Sequence, residues 1–329
     1  MSAKLPFFIY LYGFGLWLFT SLLCYPLYAQ QDPQFSLFLL NRQYLNPAYT
    51  GSEYERNISL THRSQWAGYN PSFDQGGAPV TQVLLASTRI PLLRSGIGLT
   101  VVNDAIGAQI NREVQLSYAY HFKLPIAELS LGLSGGIQSR GLDFNRLRPV
   151  DNNDPIIGQG DASQILPDLH AGIYYKREQL FIGASVRHLN EPNYNFGFSD
   201  QQNLLKRSAY LMAGYEFRLA YAWYLTPSAL IKSDFSNFSV DINAIAAYQT
   251  YNTKFWGGFA YRYQDAFSVI VGSDFAVGNN QMRLGYAFDY VPQGQVAKSP
   301  TSHEINVAYI LPVAPLKKPT IIRTPRFRY

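Results

Sequence analysis

Asp151-Asn152-Asn153-Asp154, with Asp161 further along, gathers carboxylate and amide oxygens of the kind that bind a hard cation such as calcium. The run lacks the full calcium-loop pattern and its closing Glu, so a solvated loop is the plainer reading. The five histidines are His62, His121, His170, His188 and His303, and no two stand at a zinc-ligand spacing. Packing or hydrogen bonding inside the fold accounts for them. Ser, Asp and His all occur, but without a nucleophile elbow, and there is no phosphate loop or dinucleotide fingerprint. No catalytic residue, metal ligand or cofactor is assigned on these grounds. Arginine offers the remaining chemistry. Arg56, His62, Arg63 and Trp66 share the first predicted strand. Alternation puts Arg56, His62 and Trp66 on one face and Arg63 on the other. Inward arginines can pair with acids such as Glu113, Glu216 or Asp241, bracing a closed sheet or holding a plug.

The elements that carry these residues read as strands. In 281–290, Met282, Leu284, Tyr286, Phe288 and Tyr290 alternate with Gln281, Arg283, Gly285, Ala287 and Asp289. The same period of two runs through 112–122, 129–138, 180–188, 238–248, 255–263 and 303–309. Fourteen strands follow: 56–67, 80–90, 95–103, 111–124, 129–141, 167–176, 179–189, 206–219, 223–233, 237–250, 254–263, 266–276, 281–290 and 302–310. One face is aliphatic and aromatic, the other small and polar. A soluble sandwich would carry charge on its outer face. Here the pattern fits an all-β transmembrane barrel of the outer membrane, with antiparallel strands, lipid outside and a polar lumen. Such a sheet must close, because lipid cannot satisfy an open edge. Tyr118, Tyr120, Tyr174, Tyr175, Tyr261, Tyr263, Tyr286 and Tyr290 are candidates for the interfacial girdles. The long loops 68–79, 142–166, 190–205 and 291–301 all fall on one side, the cell exterior. An even strand count leaves both termini in the periplasm.

Composition agrees. Only 15% of residues are charged, against about 25% in ordinary soluble domains. The single Cys, Cys24, lies in the apolar stretch that opens the chain, so no internal disulfide or Cys-rich zinc site holds the fold. Residues 1–29, with Lys4 and a long apolar run, read as an export signal cleaved near Ala29. The charge is +5, and the tail alone carries Lys317, Lys318, Arg323, Arg326 and Arg328 without an acid. The body is thus near neutral, which argues against nucleic acid as a partner. The chain divides into the signal (1–29), an N-terminal segment at or in the periplasmic mouth (30–55), the barrel (56–311) and a basic periplasmic tail (312–329).

The N-terminal segment also carries a resemblance. Gln31-Asp32-Pro33-Gln34-Phe35-Ser36, then Asn41, then Leu45-Asn46-Pro47-Ala48-Tyr49 and Gly51 closely resemble the N-terminus of the PorP/SprF family of Bacteroidetes membrane proteins. Arg63-Ser64-Gln65-Trp66, His170-Ala171-Gly172, Ser302-His303-Glu304 and Pro325-Arg326-Phe327 extend the likeness over nearly the whole mature chain. The chain departs from the usual pattern at Leu39-Leu40-Asn41-Arg42-Gln43 and lacks a Cys before Pro325. The resemblance implies a non-enzymatic outer-membrane barrel linked to type IX secretion and gliding motility. It implies partners among type IX components, large surface adhesins or the C-terminal signal domain of cargo, and periplasmic lipoproteins of the peptidoglycan-binding kind. A passive channel or small-molecule transporter is the alternative. Within the segment, Asn46 and Pro47 are expected to turn the chain into the first strand. Phe35, Phe38, Leu39, Tyr44, Leu45 and Tyr49 are expected to fill the opening or dock a partner.

Overall fold

The computed structural model describes residues 32–53, 55–69, 77–146, 160–195, 203–292 and 299–312. The export signal, the Asp151–Asp154 loop and the basic tail with Arg326 and Phe327 lie outside the described residues. Period-two alternation resolves into fourteen barrel strands. They are β1 (Glu55–Ser64), β2 (Gly77–Ile90), β3 (Ser95–Gly107), β4 (Gln109–Lys123), β5 (Glu128–Asp143), β6 (Asp161–Arg177) and β7 (Leu180–Arg187). They continue with β8 (Ser208–Tyr215), β9 (Trp223–Ser233), β10 (Phe238–Gln249), β11 (Thr253–Arg262), β12 (Ala266–Val277), β13 (Asn280–Tyr290) and β14 (Thr301–Pro312). Each strand pairs antiparallel with its sequence neighbours. β1 then pairs with β14, from Glu55 opposite Pro312 to Ser64 opposite His303, and the sheet closes. Closure leaves no ladder of free N–H and C=O groups facing lipid.

Alternation sets the two faces. On β4, Leu116, Tyr118 and Phe122 are exposed outward, while Glu113, Gln115 and His121 are buried within. At the near end of the cylinder the chain enters β1 and leaves β14, and the connections are short. At the far end lie the long connections after β1, β5, β7 and β13, as the loop lengths predict. The molecule's core sits in the lumen. Phe35, Phe38, Tyr44, Leu45 and Ala48 of the N-terminal segment pack there against Val83, Leu85, Tyr174, Tyr210, Met212 and Leu230 of the wall.

Several details differ from the sequence reading. Trp66 does not extend the His62 face. β1 ends at Ser64, and Trp66 takes a left-handed backbone (φ 52°), its N–H donating to Ser302 Oγ at 3.2 Å. Residues 142–143 and 161–166 are strand rather than loop, paired from Gln138 opposite Leu166 to Asp143 opposite Asp161. Their polarity reflects the part of the hairpin that rises toward the far-end loops. Tyr174 is no girdle residue: it points inward and is fully buried, whereas its neighbour Tyr175 points out. β7 stops at Arg187, because His188 turns the chain with φ 56°. β8 is interrupted at Glu216 and resumes at Phe217–Arg218.

The early end of β7 has a consequence for the wall. β6 pairs with β7 only over Ala171–Arg177. Beyond that, its edge is met by the following loop, with Leu189 N–H donating to Leu169 O at 2.9 Å and Asn190 Nδ2 donating to Pro167 O at 2.7 Å. An edge served by a loop tolerates Pro167, which has no N–H for the ladder. The loop then folds inward. Tyr194 is fully buried, and its hydroxyl donates to Gln138 O at 3.1 Å.

Candidate functional site

The candidate site is the interface between residues 32–53 and the inner wall. The segment is broken into short pieces, one helical turn α1 (Arg42–Leu45) followed by a 3-10 turn at Pro47–Tyr49. Asn46 joins them in an extended conformation, and its side chain accepts from Ala48 N–H at 2.9 Å, with Pro47 supplying a preset φ at the first position. Gly51 (φ 70°) completes the turn toward β1. A Cβ there would lie 2.7 Å from Gly96 Cα, so a side chain is excluded by backbone on both counts.

A segment without regular structure leaves many backbone groups to satisfy inside the barrel. Wall side chains meet them. Glu304 accepts from the N–H groups of Ser36 (2.7 Å) and Leu37 (3.2 Å). Ser185 Oγ donates to Leu45 O at 2.6 Å, Arg187 to Tyr44 O at 2.9 Å and Arg89 to Gly51 O at 3.0 Å. Side chains of the segment return the favour. Gln43 Nε2 donates to Ala86 O and Leu99 O, and Asn46 Nδ2 to Ile173 O (2.9 Å) and Ala184 O (3.2 Å). Asn41 Oδ1 accepts from Thr61 Oγ1 at 2.9 Å.

Charge anchors the segment at both ends. At the far end, Asp32 Oδ1 meets His188 Nε2 at 2.9 Å and Asp32 Oδ2 accepts from Tyr210 at 2.6 Å. Burial alone would raise the Asp32 carboxyl, but the charges of His188 and Arg187 and the bonds from His188 and Tyr210 hold it well below the usual range. Arg63 stands next in line, bonded to Ser36 Oγ (3.0 Å), Asp289 (2.6 Å) and Glu304 (2.8 Å). At the near end, Glu53 pairs with Lys176 at 2.5 Å and with Arg42 at 4.0 Å. Burial raises Glu53 and these two cations lower it further, for a net shift below the ordinary value. The Arg42 guanidinium lies 4.5 Å over the Tyr49 ring and bonds to Tyr174 Oη at 3.2 Å.

The candidates named from the sequence fall as follows. Asp32, Phe35, Phe38, Tyr44, Leu45, Asn46, Pro47, Tyr49, Gly51 and Arg63 converge on this one interface. Pro33, Gln34 and Trp66 line a far-end cavity of about 190 Å³. The segment therefore does not stop at a mouth but reaches along the lumen between the two ends. A second cavity, of about 390 Å³, opens between the segment and the near-end wall, lined by Arg42, Glu53, Lys176, Lys254 and Arg283 among others. Of the arginine–acid wall pairings foreseen, Glu113 meets Arg187 (2.6 Å) and Asp241 meets Arg262 (2.7 Å), whereas Glu216 meets a lysine, Lys254, at 3.8 Å in a partly exposed position. Arg63 takes Asp289 and Glu304 instead.

Sequence reading named Ser36 and Asn41 only as motif residues and did not single out Arg42 and Gln43, yet hydrogen bonds of all four serve the interface. Arg42 and Gln43 lie in the stretch that departs from the family pattern. It also missed a constellation that spacing hides. Asp168 and His170 on β6 and His188 after β7 each present one ligand atom, all within 4.8 Å of one another and all buried. The shared inward parity of Asp168 and His170 on β6 was a signal available in the sequence.

Comparison with known proteins agrees with this architecture. The family model described as "Type IX secretion system membrane protein PorP/SprF" matches residues 27–309. No curated protein matches the chain. Among solved structures, a Pseudomonas aeruginosa FadL homologue superposes with a TM-score of 0.51 at 12% identity, covering 82% of this chain and 93% of its own. A deltaS2S3 mutant of TodX, a monoaromatic hydrocarbon channel, gives 0.52 at 12% identity, covering 81% and 93%. At that identity the likeness is one of fold.

Proposed function

The chain belongs to the PorP/SprF family of type IX secretion membrane proteins, and from that premise we propose that this outer-membrane barrel helps to secrete or anchor type IX cargo as a plugged scaffold. The observation that carries the reading is the occupied lumen. Residues 32–53 occupy it and are bonded to the wall at both ends. A plug bonded to the wall at both ends blocks free diffusion through an open pore, and a scaffold gains rigidity from it. The barrel itself is not an enzyme, in keeping with its family.

In this reading both termini face the periplasm. The long far-end loops then face the exterior and receive a large surface adhesin or the C-terminal signal domain of cargo, beside Asp32, Pro33, Gln34 and Trp66. The near end and the basic tail, with Arg326 and Phe327, meet type IX components and a periplasmic peptidoglycan-associated lipoprotein. Affinity purification from native outer membranes in mild detergent tests this. Co-purification of a type IX component or surface adhesin is expected. Recovery of the barrel alone, with a control complex intact and steady single-channel conductance, would instead establish a passive channel.

A further inference from the structure

The geometry points to a divalent metal site of the zinc type at Asp168, His170 and His188, independent of the secretion role. His170 Nε2 and His188 Nδ1 approach the same oxygen, Asp168 Oδ2, at 2.9 and 2.7 Å. Two imidazoles and a carboxylate form a donor set that zinc favours. The ring planes stand nearly perpendicular, at 85°, with centroids 5.3 Å apart.

A fourth donor stands nearby, outside the group of three. Glu113 Oε1 lies 4.0 Å from His170 Nε2 and has no hydrogen-bond partner, although its side chain is only 6% exposed. Asp168 Oδ1 is likewise buried without a donor. A buried carboxylate oxygen without a donor is costly, and a cation at this site would give Glu113 Oε1 a partner once it closes in from 4.0 Å. The outer partners also suit a metal. His188 turns its other nitrogen to Asp32 Oδ1 at 2.9 Å, the carboxylate support typical of metal-bound histidine. Glu113 Oε2 is held by Arg187 at 2.6 Å, which leaves Oε1 free to point at the site.

Charge leads to the same place. Asp32, Glu113 and Asp168 gather around Arg187 and two histidines. A doubly charged ion between them offsets the excess of carboxylate, displacing the protons that otherwise sit between the rings and Asp168. The movement required is small. Tetrahedral ligands about 2.0–2.1 Å from zinc stand about 3.3 Å apart, so each ring retreats by about half an ångström. Bound there, the ion joins β4, β6 and the end of β7 and, through Asp32, fixes the far end of the plug.

The test uses the full-length protein isolated from outer membranes of cells grown with added zinc and kept free of chelator. Inductively coupled plasma mass spectrometry is expected to find about one transition metal per chain. Less than about a tenth of that is expected in Asp168→Asn and His170→Gln, with weaker retention against EDTA in Asp32→Asn, by about 10- to 100-fold. If those variants fail to fold, Glu113→Gln and the visible spectrum of the cobalt-loaded wild type carry the test, through loss of affinity and four-coordinate bands. A wild-type protein that holds no stoichiometric metal and takes up none from Zn²⁺ overturns the proposal, leaving a proton-linked hydrogen-bond network. Equal metal content in folded His170→Gln overturns it too.

Discussion

Arg63 on β1 and Glu304 on β14 meet at 2.8 Å across the seam where the first and last strands close the barrel, and the same Glu304 receives the backbone of Ser36 and Leu37. One ion pair thus joins barrel closure to plug seating. Both side chains are almost fully buried, so removing one leaves an uncompensated charge, worth about 3–5 kcal/mol. Arg63→Leu is therefore expected to lower the detergent-resistant melting temperature strongly. A paired replacement, Arg63→Met with Glu304→Leu, removes the Glu304 charge but still leaves Asp289 without its Arg63 partner, so it should recover only part of the loss in the barrel and none in the plug, whose two N–H groups lose their acceptor. Denaturation midpoints for both, with proteolysis of residues 32–53 as the plug readout, separate the two effects.

Asn46 does three things with one amide. It caps the 3-10 turn and donates to two carbonyls of the β6–β7 hairpin, where Gly172 and Gly183 allow it to approach the wall. Asn46→Ala is expected to destabilise the plug by about 1–3 kcal/mol, the cost of the unsatisfied carbonyls and lost cap. Barrel melting should move less than protease protection of the plug. Equal loss in both would mean that the two fold as one unit.

Much of this was legible from residue types and spacing, and the reasons are physical. Lipid-facing alternation spans whole strands, so fourteen elements and their facing directions emerge from it. Adjacent residues with the same chemistry defeat it: Tyr174 and Tyr175 look alike, and only strand register sends one to the plug and the other to lipid. Asp168 and His170 share a face by parity, but His188 joins them only because the chain turns with positive φ where β7 ends. The aromatic residues of the plug announced burial. Ser36, Asn41 and Gln43 did not, since polar residues in an irregular segment read as solvated until a wall stands around them.

Glu53 gives the near-end anchor a pH dependence. Its folded value is depressed, so it contributes stability above the ordinary glutamate range, about 4.3. That contribution is lost as pH falls through the folded value. With a third of the side chain exposed, the effect is expected to stay below about 1 kcal/mol. Plug protection measured between pH 7 and 3 should decline in the wild type, and Glu53→Gln should flatten the acid limb while lowering protection at pH 7. An unchanged acid limb in the variant would remove Glu53 as the cause.

The outer wall makes a separate prediction. Leu116 stands midway along β4 and points outward, while its neighbour Gln115 is buried inside. Arginine at position 116 places a charge at hydrocarbon depth, at a cost of about 2–4 kcal/mol. Leu116→Arg should reduce folding efficiency into lipid vesicles, whereas Leu116→Phe should not. Equal folding of both variants would place position 116 away from the bilayer centre.

Gly132 tests whether the plug is what closes the lumen. It faces inward on β5, and a Cβ there would lie 2.2 Å from Ala48 N and 2.5 Å from Pro47 C, backbone atoms that cannot rotate aside. The wall is held by ladders on both sides, whereas the segment is held by side-chain bonds, so the segment is the part that yields. Gly132→Val is therefore expected to fold as a barrel with residues 32–53 displaced, gaining protease sensitivity there and ion conductance in planar bilayers. Gly135→Ala on the same strand is the control, since its Cβ meets only Leu169 Cδ2 at an ordinary 3.4 Å and should leave both readouts at wild-type values. A folded Gly132→Val barrel that remains non-conducting with its segment protected would show that the plug can shift within the lumen and that something else seals it.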